Sequence, residues 1–191
     1  MSIVIRLARQ SDVSAMLAIY TPYVENTTIS WEYTTPSTDD FSARLREKTQ
    51  AGFRWIVAEE KGVLLGYAYA GRFAQRKGYD WCAETTVYVD VAAHGKHVGQ
   101  RLYQALLCLL RAQGFVTVYA LITYPNAASA AFHKKLGFAE EARLAHTGFK
   151  LGQWLGLSYY SKTLCEIPEN PVPTLRVDAL PKKILSMAFS S

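Results

Sequence analysis

Glu84-Thr85-Thr86-Val87-Tyr88-Val89, with the turn and helical segment after it, sets the frame for the whole chain. The run is β-branched and aromatic, the composition of a strand. After a short link comes His94-Gly95-Lys96-His97-Val98-Gly99, and then a segment from Gln100 to Ala112. Val98, Leu102, Ala105, Leu106 and Leu109 recur at helical spacing, which predicts an amphipathic helix. A strand, a glycine-bearing turn and a helix present free N–H groups to an anion. They also present the positive end of a helix dipole, about half a unit charge. Gly95 and Gly99 let the backbone approach a phosphate, while His94, Lys96 and His97 add donors. The turn is not a Walker loop, because no Gly-Lys-Ser/Thr closes it. Nor is it the dinucleotide fingerprint, because Gly-x-Gly-x-x-Gly is absent. A plain strand-to-helix connection is the competing reading.

Nearer the start of the chain, Ile3 to Leu7 reads as a first strand within the alternating segment Met1 to Gln10. A helix comes next, capped by Ser11 or Asp12, with Val13, Met16, Leu17 and Tyr20 as its buried stripe, until Pro22 disturbs or ends it. Thr27 to Tyr33 is short, β-branched and aromatic; Trp31 and Tyr33 are either core or pocket wall. Thr38 caps a helix that buries Phe41 and Leu45. Trp55–Glu59 and Val63–Ala70 form a hairpin around Lys61-Gly62, and Gly71 to Asp80 is a loop. Beyond the central helix, Gly114 is its C-cap, Val116–Ile122 is a strand, Pro125-Asn126 opens a helix that Gly137 stops, and Phe138–Arg143 and Trp154–Ser161 are the last strands. Residues 146–153 lie between those two as a hairpin arm. The order β-α-α-β-β-β-α-β-α-β-β is α+β with a mixed central sheet flanked by helices. Residues 1–164 form one domain. Residues 165–191, with Pro168, Pro171, Pro173 and Pro181, read as an appended extended tail without regular elements, either disordered or strapped over the body or a partner subunit.

The 191 residues suffice for one domain with a real core. The charge of +5 is mild and scattered, without the basic stripe that nucleic-acid binding needs. A weak field favouring anionic ligands is the economical reading. Cys82, Cys108 and Cys165 are dispersed and odd in number, which argues against disulfides and zinc and for reduced thiols in a cytoplasm. No apolar run is long enough to span a membrane.

Three stretches carry a family resemblance. Tyr79-Asp80-Trp81-Cys82-Ala83-Glu84-Thr85-Thr86-Val87-Tyr88-Val89 is similar to the Tyr-Asp-Trp-x-Ala-Glu-x-Thr-Val-Tyr-Val block of phosphinothricin acetyltransferases, members of the GCN5-related N-acetyltransferase (GNAT) superfamily. Pro125-Asn126 through His133-Lys134-Lys135-Leu136-Gly137-Phe138 resembles their Pro-Asn…His-x-x-Leu-Gly-Phe/Tyr helix, and Gly148-Phe149-Lys150-x-Gly-x-Trp154 their hairpin. The superfamily's pyrophosphate loop, Gln/Arg-x-x-Gly-x-Gly/Ala, is altered here: His94 stands at its first position and His97 at its first glycine, while Gly99 is retained.

The resemblance implies the GNAT fold and an N-acetyltransferase using acetyl-CoA, with no metal. It implies cofactor contacts from Val87, Tyr88, Val89, Gly95, Lys96, His97, Val98, Gly99, Gln100 and Asn126. Glu84 is the implied general base, and strand parity puts it on one face with Thr86 and Tyr88. A strand-edge glutamate in a salt bridge is the alternative. His133 is the implied second catalytic residue; otherwise it is a helix-surface histidine. Cys82 as an acetyl carrier is a rival route. Trp31, Gln75, Arg76, Lys77 and Tyr79 are the expected acceptor contacts. Ala74 replaces the lysine of phosphinothricin enzymes, which opens the acceptor to methionine sulfoximine or methionine sulfone. Another amine, such as a protein N-terminus or polyamine, and a non-catalytic coenzyme-A sensor are the other readings. Close relatives are dimers, and Tyr103, Leu107 and Leu110 form a second apolar stripe on the central helix that is otherwise ordinary core, so a homodimer is expected, with the tail or the 146–154 arm contributing.

Overall fold

The computed structural model describes residues 3–190; Met1, Ser2 and Ser191, the outer ends of the first-strand and tail readings, lie outside it. The elements are β1 (Val4–Leu7), α1 (Val13–Asn26), α2 (Thr38–Gln50), β2 (Ile56–Glu60), β3 (Val63–Arg72), β4 (Cys82–Val89), α3 (Val98–Gln113), β5 (Thr117–Tyr124), α4 (Ala127–Lys135), β6 (Ala139–Lys150), β7 (Gln153–Thr163) and α5 (Lys182–Phe189). The strands form one mixed sheet in the order β1-β2-β3-β4-β5-β7-β6. Among the described residues its one parallel pair is β4–β5. The expected α+β order is therefore borne out through β7.

Two cores lie on the two faces of this sheet. On one face, α3 buries Val98, Leu102, Ala105, Leu106 and Leu109, as its periodicity predicts. Tyr103 and Leu110 are buried there too, so the second stripe of α3 belongs to the chain's own core. Truncating such a leucine to alanine costs about 2–5 kcal/mol. On the other face, α1 and α2 bury Met16, Tyr20, Tyr23, Phe41 and Leu45 against Trp55, Val57 and Tyr67. No helix among the described residues is long and apolar enough to cross a membrane.

Several local expectations are corrected. Pro22 lies inside α1, which runs on to Asn26. The penalty for an internal proline is about 3 kcal/mol, and the burial of Tyr20, Tyr23 and Val24 around it offsets this. Thr27 to Tyr33, β-branched and aromatic as it is, forms no strand, in keeping with the β-α-α order. Thr27 Oγ1 donates to Tyr23 O and accepts from the Ile29 N–H, and Ser30 Oγ accepts from the Glu32 N–H. These side-chain bonds satisfy the backbone locally and displace ladder pairing. Ser37, not Thr38, caps α2, its side chain accepting from the Asp40 N–H. Asp12 caps no α1 donor; its carboxylate takes the Arg9 N–H at 2.7 Å and pairs with Arg6 at 2.7 Å.

The segment beyond Leu164 is docked and ends in a helix. Trp81 Nε1–H donates to Val172 O at 2.7 Å, Leu175 exchanges bonds with Gln113, and Arg176 donates to Gln50 O and Thr49 O. Val177, Leu180 and Ala188 are buried, and α5 packs on α3 and β1. The prolines do not forbid this helix because Pro181 stands at its N-cap, where no intrahelical N–H is needed.

Candidate active site

The sheet is nearly two sheets. β4 stays paired with β3 from Ala83 to Val89, and β5 with β7 from Thr117 to Tyr124. β4 and β5, however, share register only at Cys82↔Thr117, Ala83↔Val118 and Glu84↔Tyr119. Past Glu84 they part. In the antiparallel β3–β4 ladder bonding alternates, and the Asp90 N–H donates to Leu65 O at 2.8 Å. By that alternation Thr85, Val87 and Val89 turn their backbone groups away from β3, towards the gap. A cavity of about 530 Å³ fills the gap.

Val87, Tyr88, Val89, Gly95, His97, Val98, Gly99, Gln100, Asn126 and His133 all line this cavity. Lys96 does not; it is exposed on the loop's outer side. The first intrahelical bond near the loop runs from the Arg101 N–H to His97 O, so the N–H groups of Val98, Gly99 and Gln100 precede the ladder of α3. His97 occupies the N-cap in a left-handed conformation, φ +59°, a region that favours glycine. A Cβ on Gly99 would touch Phe132 and Val89 at 3.4 Å. His94 Nε2 lies 3.1 Å from the Tyr23 hydroxyl, which donates to Val89 O at 2.5 Å. Asn126 caps α4, its Oδ1 accepting from the Ser129 N–H.

Glu84 and His133 lie on opposite faces of the sheet. Glu84 shares the α1 face with Tyr88, which packs against Tyr20 and Tyr23. It forms no ion pair among the described residues, so the salt-bridge alternative does not hold there. Burial raises its carboxyl above the usual range, partly offset by Lys48. Cys82, two residues earlier, also titrates high through burial, which disfavours a reactive thiolate.

His133 is buried on the α3 face, not exposed on its helix. Its Nδ1 is 2.8 Å from Ser129 O, a carbonyl that only accepts, so in the neutral ring Nδ1 carries the hydrogen. Nε2 then accepts from the Tyr103 hydroxyl at 2.9 Å. Thr85 Oγ1 lies 3.1 Å from the same hydroxyl and donates to Tyr119 O. Burial lowers the His133 pKa, so the ring is neutral near pH 7. Tyr103 and Thr85 are site residues that periodicity hides. The available signal is a tyrosine on the buried stripe of a helix, where its hydroxyl needs a partner.

The expected acceptor contacts are not all brought together. Trp31 donates from Nε1 to Thr123 Oγ1 on the β5 side of the gap, and Ile29 and Thr123 line the cavity. Gln75 and Arg76 are exposed and line no described cavity, while Lys77 and Tyr79 border a second one of about 370 Å³, beside Trp81 and the docked tail. Phe73 ties that loop to β5 by stacking on Tyr119, ring centroids 4.3 Å apart.

A mixed sheet parted between a parallel strand pair, with a helix N-terminus at the mouth of the gap, is the fold of the N-acetyltransferases. Residues 5–156 match the acetyltransferase (GNAT) domain family, and the chain belongs to it. It is 36% identical over 169 residues to a phosphinothricin N-acetyltransferase of Streptomyces viridochromogenes, covering 88% of this chain and 91% of that one. It is 35% identical over 162 residues to an L-methionine sulfoximine/L-methionine sulfone acetyltransferase of Salmonella typhimurium, covering 85% and 95%. The fold superposes with a TM-score of 0.87 on a phosphinothricin acetyltransferase from Sinorhizobium meliloti in complex with acetyl-CoA, at 32% identity, covering 94% and 98%. The chain is thus a GNAT N-acetyltransferase of the phosphinothricin and methionine sulfoximine acetyltransferase group.

Proposed function

We propose that the chain transfers the acetyl group of acetyl-CoA to the α-amine of a small amino acid such as methionine sulfoximine, methionine sulfone or phosphinothricin. The observation that carries this is the parted β4–β5 pair. Its cavity joins strand backbone turned away from the β3 ladder at Thr85, Val87 and Val89 to the N-terminus of α3, with a poorly solvated carboxylate, Glu84, on the opposite face. The donor set fits acetyl-CoA: the N–H groups of Val98, Gly99 and Gln100 at the start of α3 suit a pyrophosphate, the strand edge suits an extended amide-bearing arm, and Asn126 adds a polar contact. When bound, acetyl-CoA supplies the activated thioester carbonyl.

Glu84 takes the proton of the acceptor's ammonium, directly or through one water. Its raised pKa brings it closer to the working pH than a solvated glutamate would be. His133, neutral and held by Ser129 and Tyr103, orients the site and moves a proton at Nε2. Arg76, Gln75, Lys77 and Tyr79 attract the acceptor's carboxylate and its oxidised sulfur or phosphorus oxygens. Arg72, Arg76 and Lys77 together disfavour a polyamine. Colorimetric detection of free thiol, with acetyl-CoA and a panel of amino acids, polyamines and peptides, tests the proposal. Turnover with the sulfoximine, sulfone or phosphinothricin is expected. Turnover confined to peptides or polyamines, or none with acetyl-CoA bound, overturns it.

The chain also self-associates in this proposal. Leu144, Phe149, Leu151 and Trp154 are all exposed on the β6–β7 arm, an apolar surface of the kind that marks an interface. Sedimentation at micromolar concentration is expected to give a dimer that Trp154→Glu dissociates; a monomeric parent contradicts the proposal.

A further inference from the structure

Lys150 is a buried lysine that the reaction above does not use. It is 4% exposed and sits at the end of β6. Its ammonium donates to Val24 O at 2.6 Å and to Ser30 O at 2.7 Å. Among the described residues it makes no ion pair; Glu32, itself paired with Arg44 at 2.7 Å, attracts it from a distance. Burying a cation is costly unless strong hydrogen bonds replace its hydration. Here both replacements come from the end of α1 and the Thr27–Tyr33 loop.

Two further contacts join the same segments. Tyr33 donates its hydroxyl to Phe149 O. Gly148 has no room for a side chain, because a Cβ there would collide with the ring of Trp31. Trp31 in turn donates to Thr123 beside the cavity. The loop therefore touches the β6–β7 arm at Gly148, Phe149 and Lys150 and touches β5 at Thr123. It closes the gap on the α1 face, the face that carries Glu84.

We infer that Lys150 is a positioning residue that latches the Thr27–Tyr33 loop to the β6–β7 arm, so that Trp31 and Tyr33 wall the acceptor site in one fixed arrangement. The acceptor part of this rests on the proposed acetyl transfer; the latch itself does not. Lys150 touches no reacting atom. It ties two carbonyls of one segment to another, and its loss frees the loop to sample conformations in which Trp31 leaves Thr123. The cavity keeps the walls that β4, α3 and α4 supply, since these do not depend on Lys150; Ile29 is the one lining residue that the loop contributes.

The test uses the full chain carrying Lys150→Met, which keeps the apolar stem and removes the three donors. Hydrogen–deuterium exchange of peptides spanning residues 24–35 is expected to accelerate, with exchange in α3 unchanged. Acceptor KM is expected to rise about tenfold or more, the scale of a lost positioning contact, with acetyl-CoA affinity within about twofold and kcat changed less than KM. Gly148→Ala, which pushes Trp31 from the other side without touching Lys150, is expected to give the same signature and decides the matter if Lys150→Met does not fold. Unchanged exchange at 24–35 overturns the latch. Faster exchange with unchanged acceptor KM overturns its positioning role. If the parent binds acetyl-CoA but acetylates no amine, the proposed reaction fails while the exchange experiment still decides the latch.

Discussion

The Tyr103 hydroxyl lies 2.9 Å from His133 Nε2, and both side chains are buried between α3 and α4 at the wall of the cavity. The Ser129 carbonyl, which can only accept, fixes the tautomer of this histidine at Nδ1, burial keeps the ring neutral, and the Tyr103 hydroxyl serves the nitrogen left without a hydrogen.

Removing that donor leaves Nε2 buried without a partner. Tyr103→Phe is expected to lose about 1–3 kcal/mol of stability, read by urea unfolding. A loss within experimental error of zero would show the bond is not formed. The sign for pH comes from the lowered His133 pKa. The unfolded chain takes up a proton near the ordinary histidine pKa, about 6.5, and the folded chain only at lower pH. Stability is therefore full above that value and falls as the pH drops towards the folded pKa. Nitrogen-15 imidazole spectra are expected to show one ring resisting protonation below about pH 6.5, absent in His133→Asn.

Glu84→Gln keeps the shape and removes the proton acceptor. Turnover is expected to fall roughly 10²- to 10⁴-fold, with acetyl-CoA binding little changed. Because burial raises the Glu84 pKa, the acid limb of the parent's kcat/KM profile is expected above the ordinary glutamate value of about 4.3. The variant loses that limb, and its residual rate climbs with pH as free amine becomes available. Parental turnover in the variant at neutral pH would transfer the base role to another group.

His97→Gly places the residue that favours φ +59° at that position. The left-handed strain of about 1–2 kcal/mol disappears, against the roughly 0.5–1 kcal/mol that glycine costs in chain entropy. The melting temperature is expected to stay or rise slightly, with equal or tighter acetyl-CoA binding. A tenfold loss of affinity, about 1.4 kcal/mol, would make the imidazole itself a ligand.

Arg76 is exposed outside both cavities, so a contact from it to the acceptor stays hydrated. Arg76→Ala is expected to raise acceptor KM by no more than about fivefold, the worth of roughly 1 kcal/mol for an exposed charge. It is also expected to leave kcat alone. A larger effect would mean that this loop is buried in the working assembly.

The central elements are legible in the motif stretches alone. The apolar period of α3, the β-branched run of β4 and the glycines at 95 and 99 are local signals, and each holds where packing agrees with propensity. Side-chain parity also places Glu84 with Tyr88, because a strand has only two faces. The sequence pattern fails where a distant partner sets the outcome. Pro22 stays helical because Tyr20, Tyr23 and Val24 are buried around it. Thr27 to Tyr33 is a loop because its hydroxyls satisfy its own backbone and Lys150, 120 residues beyond Ser30, binds its carbonyl. Helix α5 forms because Ile184, Leu185, Ala188 and Phe189 pack onto the core beside α3 and β1.

Local signals in the chain therefore suffice for the order of elements through β7, the family, the strand that faces the cavity and the identity of the candidate base. Three-dimensional packing was needed to establish that β4 and β5 part just beyond Glu84, that His133 is buried and bound by Tyr103, and that Lys150 holds the Thr27–Tyr33 loop. The reason is the range of the interactions. Periodicity, capping and strand parity act over a few residues, whereas hydrogen-bond partners such as Tyr103 and His133, or Lys150 and Val24, are 30 and 126 positions apart. Such pairs meet only once the sheet has set the distance between the elements that carry them.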